Sequence, residues 1–151
     1  ADLNEIAATT TSSPSPPSSR LGRMRGGPRD GAGVSYYIRE GPKGDELTES
    51  RVDQPKQFHV TKDDYDKAVE ALVQVGMTMM PFTVLNEKFV DLGGTNVRSA
   101  YHLRVVLRFL RWLQPPLVKG SRSGYRVNHM NEDEFRVKAN EAWSSLPRAD
   151  Q

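Results

Sequence analysis

The segment TNVRSAYHLRVVLRFLRWLQPPLVKGSRSGYRV, Thr95 to Val127, decides the fold of this chain. Thr95 or Asn96 can cap a helix, and Pro115-Pro116 forbids that helix to continue beyond Leu113. With 3.6 residues per turn, its apolar and polar side chains gather on two sides about 140° apart. The apolar side holds Leu103, Val106, Leu107, Leu110 and Leu113, and the polar side holds Tyr101, Arg104, Arg108 and Arg111. We therefore predict a helix that docks through its leucines and exposes its arginines.

Two short strand-like pieces follow the prolines. They are Leu117 to Lys119 and Tyr125 to Val127, and the stretch between them, Gly120 to Gly124, contains only Gly, Ser and Arg122. This pattern is typical of a hairpin with a turn at its tip. We predict a two-stranded hairpin with three basic residues on or beside it, namely Lys119, Arg122 and Arg126.

The charge of this region has one sign. From Leu92 to Asn131 the chain has seven Lys or Arg residues and no Asp or Glu. Taking those seven from the chain's 21 basic residues leaves 14 against 19 acidic ones, so the net charge of +2 hides a basic segment in an acidic remainder. A surface of one sign attracts polyanions, of which nucleic acid is the commonest. On charge alone, a basic face that is merely solvated explains the segment equally well.

Two shorter helices are predicted before this segment. Thr61 is placed to cap the first, which carries acidic residues in its first turn and ends at Gly76. The second begins at Pro81 and ends at the turn Gly93-Gly94. Apolar residues recur at helical spacing in both: Tyr65, Ala68, Val69, Leu72 and Val75 in the first, and Phe82, Leu85, Phe89 and Leu92 in the second.

The beginning of the chain differs in composition from the rest. Residues 9–33 are rich in Ser, Thr, Pro, Gly and Arg, with only Leu21 and Met24 as large apolar groups. So little apolar area cannot offset the entropy cost of ordering, and we predict a disordered arm over residues 1–33. Four arginines among its glycines suit either a solubilising tail or an arm that lies along nucleic acid.

Residues 34–57 are predicted to join this arm to the folded domain. Val34 to Arg39 is rich in β-forming residues, which indicates a short strand or an extended strap. Glu46 to Lys56 is polar and acidic, which is typical of a linker.

A last helix is predicted from Asn131 to Leu146, within a C-terminal region of residues 129–151. Asn131 and Glu134 form a variant of the capping box. A narrow apolar stripe follows, made of Phe135, Ala139, Ala142, Trp143 and Leu146. We expect this helix to pack back on the domain, and the alternative is a homodimer through residues 131–146.

The predicted order is helix, short extended element, helix, glycine turn, basic helix and basic hairpin. Over residues 58–128 this order resembles the winged helix-turn-helix family in architecture. The resemblance implies a mainly α fold with a small β-hairpin, preceded here by the disordered arm. It also implies that the third helix enters the major groove and that the hairpin, or wing, touches the flanking DNA. The residues it places at DNA are Arg98, Tyr101, Arg104, Arg108, Lys119, Arg122 and Arg126.

One feature departs from the family pattern. Base contacts in the family cluster toward the front of the third helix, whereas Arg108 and Arg111 lie late in it. These two arginines are therefore expected to reach only phosphates, or to pair with the acidic linker.

The sequence gives little support to an enzyme, a metal or a cofactor. Gly93-Gly94-Thr95 lacks the lysine and the spacing of a phosphate-binding loop. The chain has no cysteine, and His59, His102 and His129 are isolated, so neither a disulfide nor a metal site is expected.

Nothing in the sequence is typical of secretion or of a membrane protein. Asp2 and Glu5 lie where a signal peptide would carry basic residues, and no apolar run approaches the roughly 20 residues that span a bilayer. We expect an intracellular protein, in the cytoplasm, nucleoid or nucleus.

Two functional hypotheses remain. The first is a module that binds double-stranded DNA through its basic third helix and wing, in transcription regulation or chromosome organisation. The second is a winged-helix module for protein–protein interaction that docks on an acidic partner in a larger assembly. The third helix has neither Asn nor Gln on its exposed side, which predicts modest sequence specificity if DNA is the ligand.

Overall fold

The computed structural model describes residues 33–149, which form four helices and two antiparallel sheets. The elements are β1 Val34–Gly41, β2 Gly44–Arg51, β3 Phe58–Thr61, α1 Lys62–Val75, α2 Phe82–Asp91, α3 Tyr101–Trp112, β4 Val118–Ser121, β5 Gly124–Val127 and α4 Glu132–Ser144. The first three strands form one sheet in the order β1-β2-β3, and β4 and β5 form the other. The arm predicted over residues 1–33 lies outside the described residues, apart from Gly33.

Helix α1 begins and ends where the sequence predicts. The Thr61 hydroxyl accepts a hydrogen bond from the Asp64 amide at 3.2 Å, which satisfies one of the free N–H groups of the first turn. At the other end Gly76 has a φ of 66°, and its N–H donates to the Leu72 carbonyl at 2.8 Å. Helix α2 likewise follows Pro81 and ends at Asp91, just before the predicted glycine turn.

Helix α3 begins later than predicted, at Tyr101. Thr95 does not cap it, because the Thr95 N–H and hydroxyl both donate to the Asp64 carboxylate, at 3.0 and 2.7 Å. Ala100 then takes a left-handed conformation, with φ 54° and ψ 31°, immediately before the helix. Residues 92–100 are therefore a loop fastened to α1, and Arg98 lies in this loop rather than on the helix.

The acidic stretch predicted to be a linker is largely a strand. Strand β2 pairs with β1 from Val34↔Arg51 to Gly41↔Gly44, and with β3 from Glu46↔Thr61 to Glu49↔Phe58. The predicted strap is thus the first strand of a hairpin, and the fold holds a three-stranded sheet in addition to the predicted helices and wing. The linker prediction was wrong because β2 buries the polar residues Glu46, Thr48 and Glu49 as well as Leu47. Its sequence therefore lacks the alternation of apolar and polar residues by which a strand is usually predicted.

The three-stranded sheet packs against one flank of α3. The ring of Tyr36 lies 5.2 Å from that of Phe109 and 5.0 Å from that of Trp112, and the ring of Phe58 lies 5.2 Å from that of Tyr101. Helix α3 also shares a buried apolar core with α1 and α2 on its leucine side. It is therefore enclosed on two sides.

The predicted hairpin is confirmed. Strands β4 and β5 pair from Val118↔Val127 to Ser121↔Gly124, so Arg122 and Ser123 form the turn. The segment before α2 adds a single antiparallel bridge, in which Met80 N donates to Tyr125 O at 2.9 Å and Tyr125 N donates to Met80 O at 2.8 Å. Gly124 has a φ of 132°, and a Cβ there would collide with the Met80 carbonyl, so this close approach requires glycine.

Helix α4 packs on α1, as expected. The Tyr65 hydroxyl donates to the Ala139 carbonyl at 2.6 Å, and the ring of Tyr65 lies 4.8 Å from that of Trp143. Arg136 makes two hydrogen bonds to the Glu70 carboxylate, at 2.8 and 3.0 Å. The core of the stripe considered as a dimer interface, including Trp143, is therefore buried within one chain, and a homodimer stays an untested prediction.

None of the helices in residues 33–149 combines the length and the apolarity that a membrane crossing requires.

We predict that Leu107→Ala lowers the free energy of unfolding by about 2–5 kcal/mol, because it leaves a cavity in the core. Leu107 is 1 % exposed and packs with the buried core residues. Val137, on α4, is 56 % exposed and provides the control. Val137→Ala should change stability by no more than about 0.5 kcal/mol in the same urea titration. Equal effects of the two substitutions would contradict this placement of α3.

Candidate nucleic-acid interface

The seven basic residues between Leu92 and Asn131 fall into two groups. Within residues 33–149, Arg108 pairs with a carboxylate and the other six do not. Those six are Arg98, Arg104, Arg111, Lys119, Arg122 and Arg126. Of the ten other described Lys and Arg residues, five have such a partner: Arg39, Lys62, Lys67, Arg136 and Arg148. The basic segment is therefore the part of the described fold in which positive charge is least compensated.

Arg108 lies between α3 and the three-stranded sheet and is not part of an exposed arginine face. Its guanidinium donates two hydrogen bonds to Glu49 of β2, from Nε at 2.8 Å and from Nη2 at 2.7 Å. The Glu49 side chain is 0 % exposed and also accepts a hydrogen bond from the Tyr36 hydroxyl at 2.7 Å. The expected exposure of Arg108 is corrected. The alternative expectation, that Arg108 pairs with the acidic stretch between Glu46 and Lys56, is confirmed by its contact with Glu49.

The protonation states of Tyr36 and Arg108 favour the pair. Burial, and next the negative charge of Glu49, raises the pKa of Tyr36 well above its usual value. The hydrogen bonds to Glu49 raise the pKa of Arg108. At neutral pH a neutral phenol and a cationic guanidinium thus share one carboxylate, which is the arrangement of a strong bidentate ion pair.

Tyr101, also predicted to touch DNA, is half-buried at the junction of α3 and β3. Its ring packs on that of Phe58 and stacks on that of His102 at 4.0 Å. Burial, and next the charge of Asp64, raises the pKa of Tyr101. Burial lowers the pKa of His102 although Asp64 Oδ2 lies 3.3 Å from its Nδ1, so His102 is neutral at neutral pH. Both side chains help to join the start of α3 to its neighbours.

Arg104 is exposed one turn further along α3. Its guanidinium carbon lies 4.0 Å from the centre of the Phe82 ring, in a cation–π contact with the first residue of α2. Its Nε donates to the Ser99 carbonyl at 3.3 Å. Phe82 in turn lies edge-on to Tyr125 of β5, with ring centres 6.4 Å apart. Arg104 is thus connected through two aromatic rings to the hairpin.

The hairpin separates an apolar inner face from a basic outer face. Val118 and Val127 are buried on the inner face, where Gly120 and Tyr125 also lie and where Arg111 packs close to Gly120. Lys119 and Arg126 lie directly opposite each other on the outer face, because they are register partners. Like charges in that position repel, so this pair is unfavourable in the free protein.

The turn and the outer face complete the set of accessible cations. Arg122 is exposed in the turn, and Arg126 donates from Nη1 to the Val127 carbonyl at 3.1 Å. We define the basic surface as the five cations that reach solvent and have no carboxylate partner: Arg98, Arg104, Lys119, Arg122 and Arg126. Arg111 is left out because it packs against Gly120. Five of the seven residues predicted to bind DNA are in it, and Tyr101 and Arg108 are not.

The sequence does not single out two residues of this region. Phe82 is predicted only as a core position of α2, yet it lies at the edge of the core beneath Arg104. Glu49 is one of several acidic residues in the stretch expected to pair with Arg108 or Arg111, and the charge pattern does not distinguish it from the others. Each residue acquires its role from an element distant in sequence.

Residues 33–149 contain no group of three or more His, Asp and Glu side chains arranged to hold a metal ion. Comparison of the chain with family models, curated proteins and solved structures finds no match.

We predict that Arg108→Ala lowers the free energy of unfolding by about 3 kcal/mol, because it leaves the Glu49 carboxylate buried without a counter-charge. The lower end of the range for buried pairs applies, since the Arg108 side chain is 35 % exposed. Adding Glu49→Gln should recover part of the loss, because the amide carries no charge and still accepts the Tyr36 hydroxyl. Chemical denaturation of both variants checks this, and an unchanged stability of Arg108→Ala would refute the structural role.

Proposed function

We propose that this chain is a nucleic-acid-binding module that contacts double-stranded DNA, in an intracellular role in transcription regulation or chromosome organisation and without catalysis. The observation that carries the proposal is the basic surface. Its five cations lie on the loop before α3, on α3 and on the hairpin, and none pairs with a carboxylate of residues 33–149. Uncompensated positive charge that reaches solvent is what phosphate binding requires.

The order of elements supports a winged-helix architecture for this module. Helix α1, the bridge at Met80, α2, α3 and the hairpin β4-β5 follow one another as in that family, with the hairpin as the wing. The three-stranded sheet is an addition in front of this order. It covers the flank of α3 that contains Tyr101 and Arg108.

The covered flank determines how DNA would be bound. Since only Arg104 and the preceding loop remain open at the front of α3, few side chains can reach base edges. Most of the affinity would then come from phosphate contacts of the hairpin and the loop, which position a duplex without reading it. This agrees with the modest sequence specificity expected from the composition of α3.

The same covered flank favours a second candidate, a protein–protein interaction module. A helix with one flank occupied by a sheet offers less surface to a major groove, and the basic surface could instead dock an acidic polypeptide. The two candidates differ in the polyanion that they should prefer. At physiological salt, duplex DNA should bind more tightly than polyglutamate if DNA is the ligand, and more weakly than polyglutamate if the partner is an acidic protein.

We predict that the logarithm of the DNA affinity falls with the logarithm of the salt concentration, with a slope of about −4 to −5. This follows if about five cations each displace counterions from B-form DNA. Fluorescence anisotropy with a labelled random-sequence duplex at several salt concentrations measures the slope. An absence of binding at low salt, or an affinity that does not vary with salt, would overturn the DNA proposal.

We predict that Lys119→Ala with Arg122→Ala weakens binding by a similar factor on all duplexes and reduces the slope by about 2, because these residues face phosphates. The matched control is Lys43→Ala with Lys138→Ala. It removes the same charge from the β1–β2 turn and from α4, where neither lysine has an ion-pair partner among the described residues. The control should bind almost as the unmodified protein does. A loss confined to one DNA sequence would contradict the positioning role.

A further inference from the structure

Three elements meet at Arg104. It lies on α3, the ring of Phe82 beneath it begins α2, and the ring of Tyr125 beside Phe82 belongs to β5. The charge pattern of the sequence contains Arg104 but not the two rings. Their arrangement determines what the guanidinium can contact.

Two contacts restrain the guanidinium of Arg104. Its carbon lies over the Phe82 ring, 4.0 Å from the ring centre, and its Nε donates to Ser99 O at 3.3 Å. Neither terminal nitrogen, Nη1 nor Nη2, donates a hydrogen bond to any of residues 33–149. The terminal N–H groups therefore form a planar fork whose direction is restrained by the two contacts and which is open to a ligand.

The ring that supports this fork is itself fixed. Phe82 follows Pro81, whose φ is −59° at the start of α2. Met80, one residue earlier, makes the two hydrogen bonds to Tyr125 that join this segment to the hairpin. Gly124 permits their close approach. The start of α2 and the hairpin are thus one connected unit beneath Arg104.

We propose that Phe82 is a positioning residue that presents Arg104 as a rigid fork to the edge of a guanine in the major groove. The inference rests on the proposed function. Guanine offers two acceptors there, O6 and N7, that match a guanidinium fork, which makes arginine its commonest partner. A phosphate contact needs charge and no fixed plane, as at the exposed Arg122 in the turn. Restraining a guanidinium with a ring and a carbonyl favours the guanine edge.

The test is a selection of binding sites from a pool of duplexes with a randomised centre. The unmodified protein should enrich one guanine position, with a preference over other bases of about 10- to 100-fold. Arg104→Lys keeps the charge and loses the fork, and Phe82→Leu keeps apolar volume and loses the ring. Both variants should lose the guanine preference. Their affinity for the unselected pool should change less than about threefold, because both keep a positive charge at position 104 that can contact a phosphate. Phe82→Tyr restores a ring and should keep the preference.

Chemical substitution of the DNA supplies the second arm. Replacing the selected guanine by 7-deazaguanine removes the N7 acceptor and preserves base pairing. Because O6 still accepts one N–H, it should lower the affinity of the unmodified protein part of the way to that of Arg104→Lys, and should affect Arg104→Lys less. Melting temperatures of all variants control for folding.

The outcomes separate this inference from the function on which it rests. The role of Phe82 is overturned if the unmodified protein binds the pool without a guanine preference. It is also overturned if the preference survives in Arg104→Lys or in a folded Phe82→Leu. Each of these outcomes leaves the DNA-binding proposal intact. Failure of the unmodified protein to bind the pool at low salt overturns both.

Discussion

The bidentate ion pair between Glu49 and Arg108 is the interaction on which the arrangement of the described fold depends. It joins β2, the middle strand of the three-stranded sheet, to α3. The Tyr36 hydroxyl donates a further hydrogen bond to the same carboxylate. A buried carboxylate is tolerated only where partners replace its hydration. The pair therefore requires the sheet and α3 to pack in one relative position. It also neutralises a positive charge that α3 would otherwise present to a ligand.

A second buried carboxylate plays a comparable part at the other end of α3. Asp64 accepts hydrogen bonds from the backbone and the hydroxyl of Thr95, and lies beside His102. These contacts fix the loop of residues 92–100, which contains Arg98 and the Ser99 carbonyl that accepts the hydrogen bond from Arg104. The orientation of the exposed arginine is thus set in part by an acidic residue of α1 that the sequence marks only as a helix-dipole charge.

The helices and the hairpin could be predicted from sequence because their signals are local. Thr61, Gly76, Asn131 and the prolines after Leu113 act within a few residues of themselves, and each one marks a boundary close to that of the structure. The three-stranded sheet could not, since β2 buries Glu46 and Glu49, whose partners Arg39 and Arg108 lie elsewhere in the chain. The basic surface could likewise be predicted, because charge is visible in the sequence. The burial of Arg108 and the contact of Arg104 with Phe82 could not, because both depend on tertiary contacts.

The outer face of the hairpin has a consequence for the energetics of the molecule. Lys119 and Arg126 repel each other across β4 and β5 in the free protein, and an anion placed between them would remove that repulsion. Thermodynamic linkage is reciprocal, so a polyanion that bound there would stabilise the hairpin by the same free energy that relief of the repulsion adds to its affinity. The free hairpin is accordingly less stable than one without facing like charges, and relief of this repulsion would contribute to the affinity for an anion that binds there.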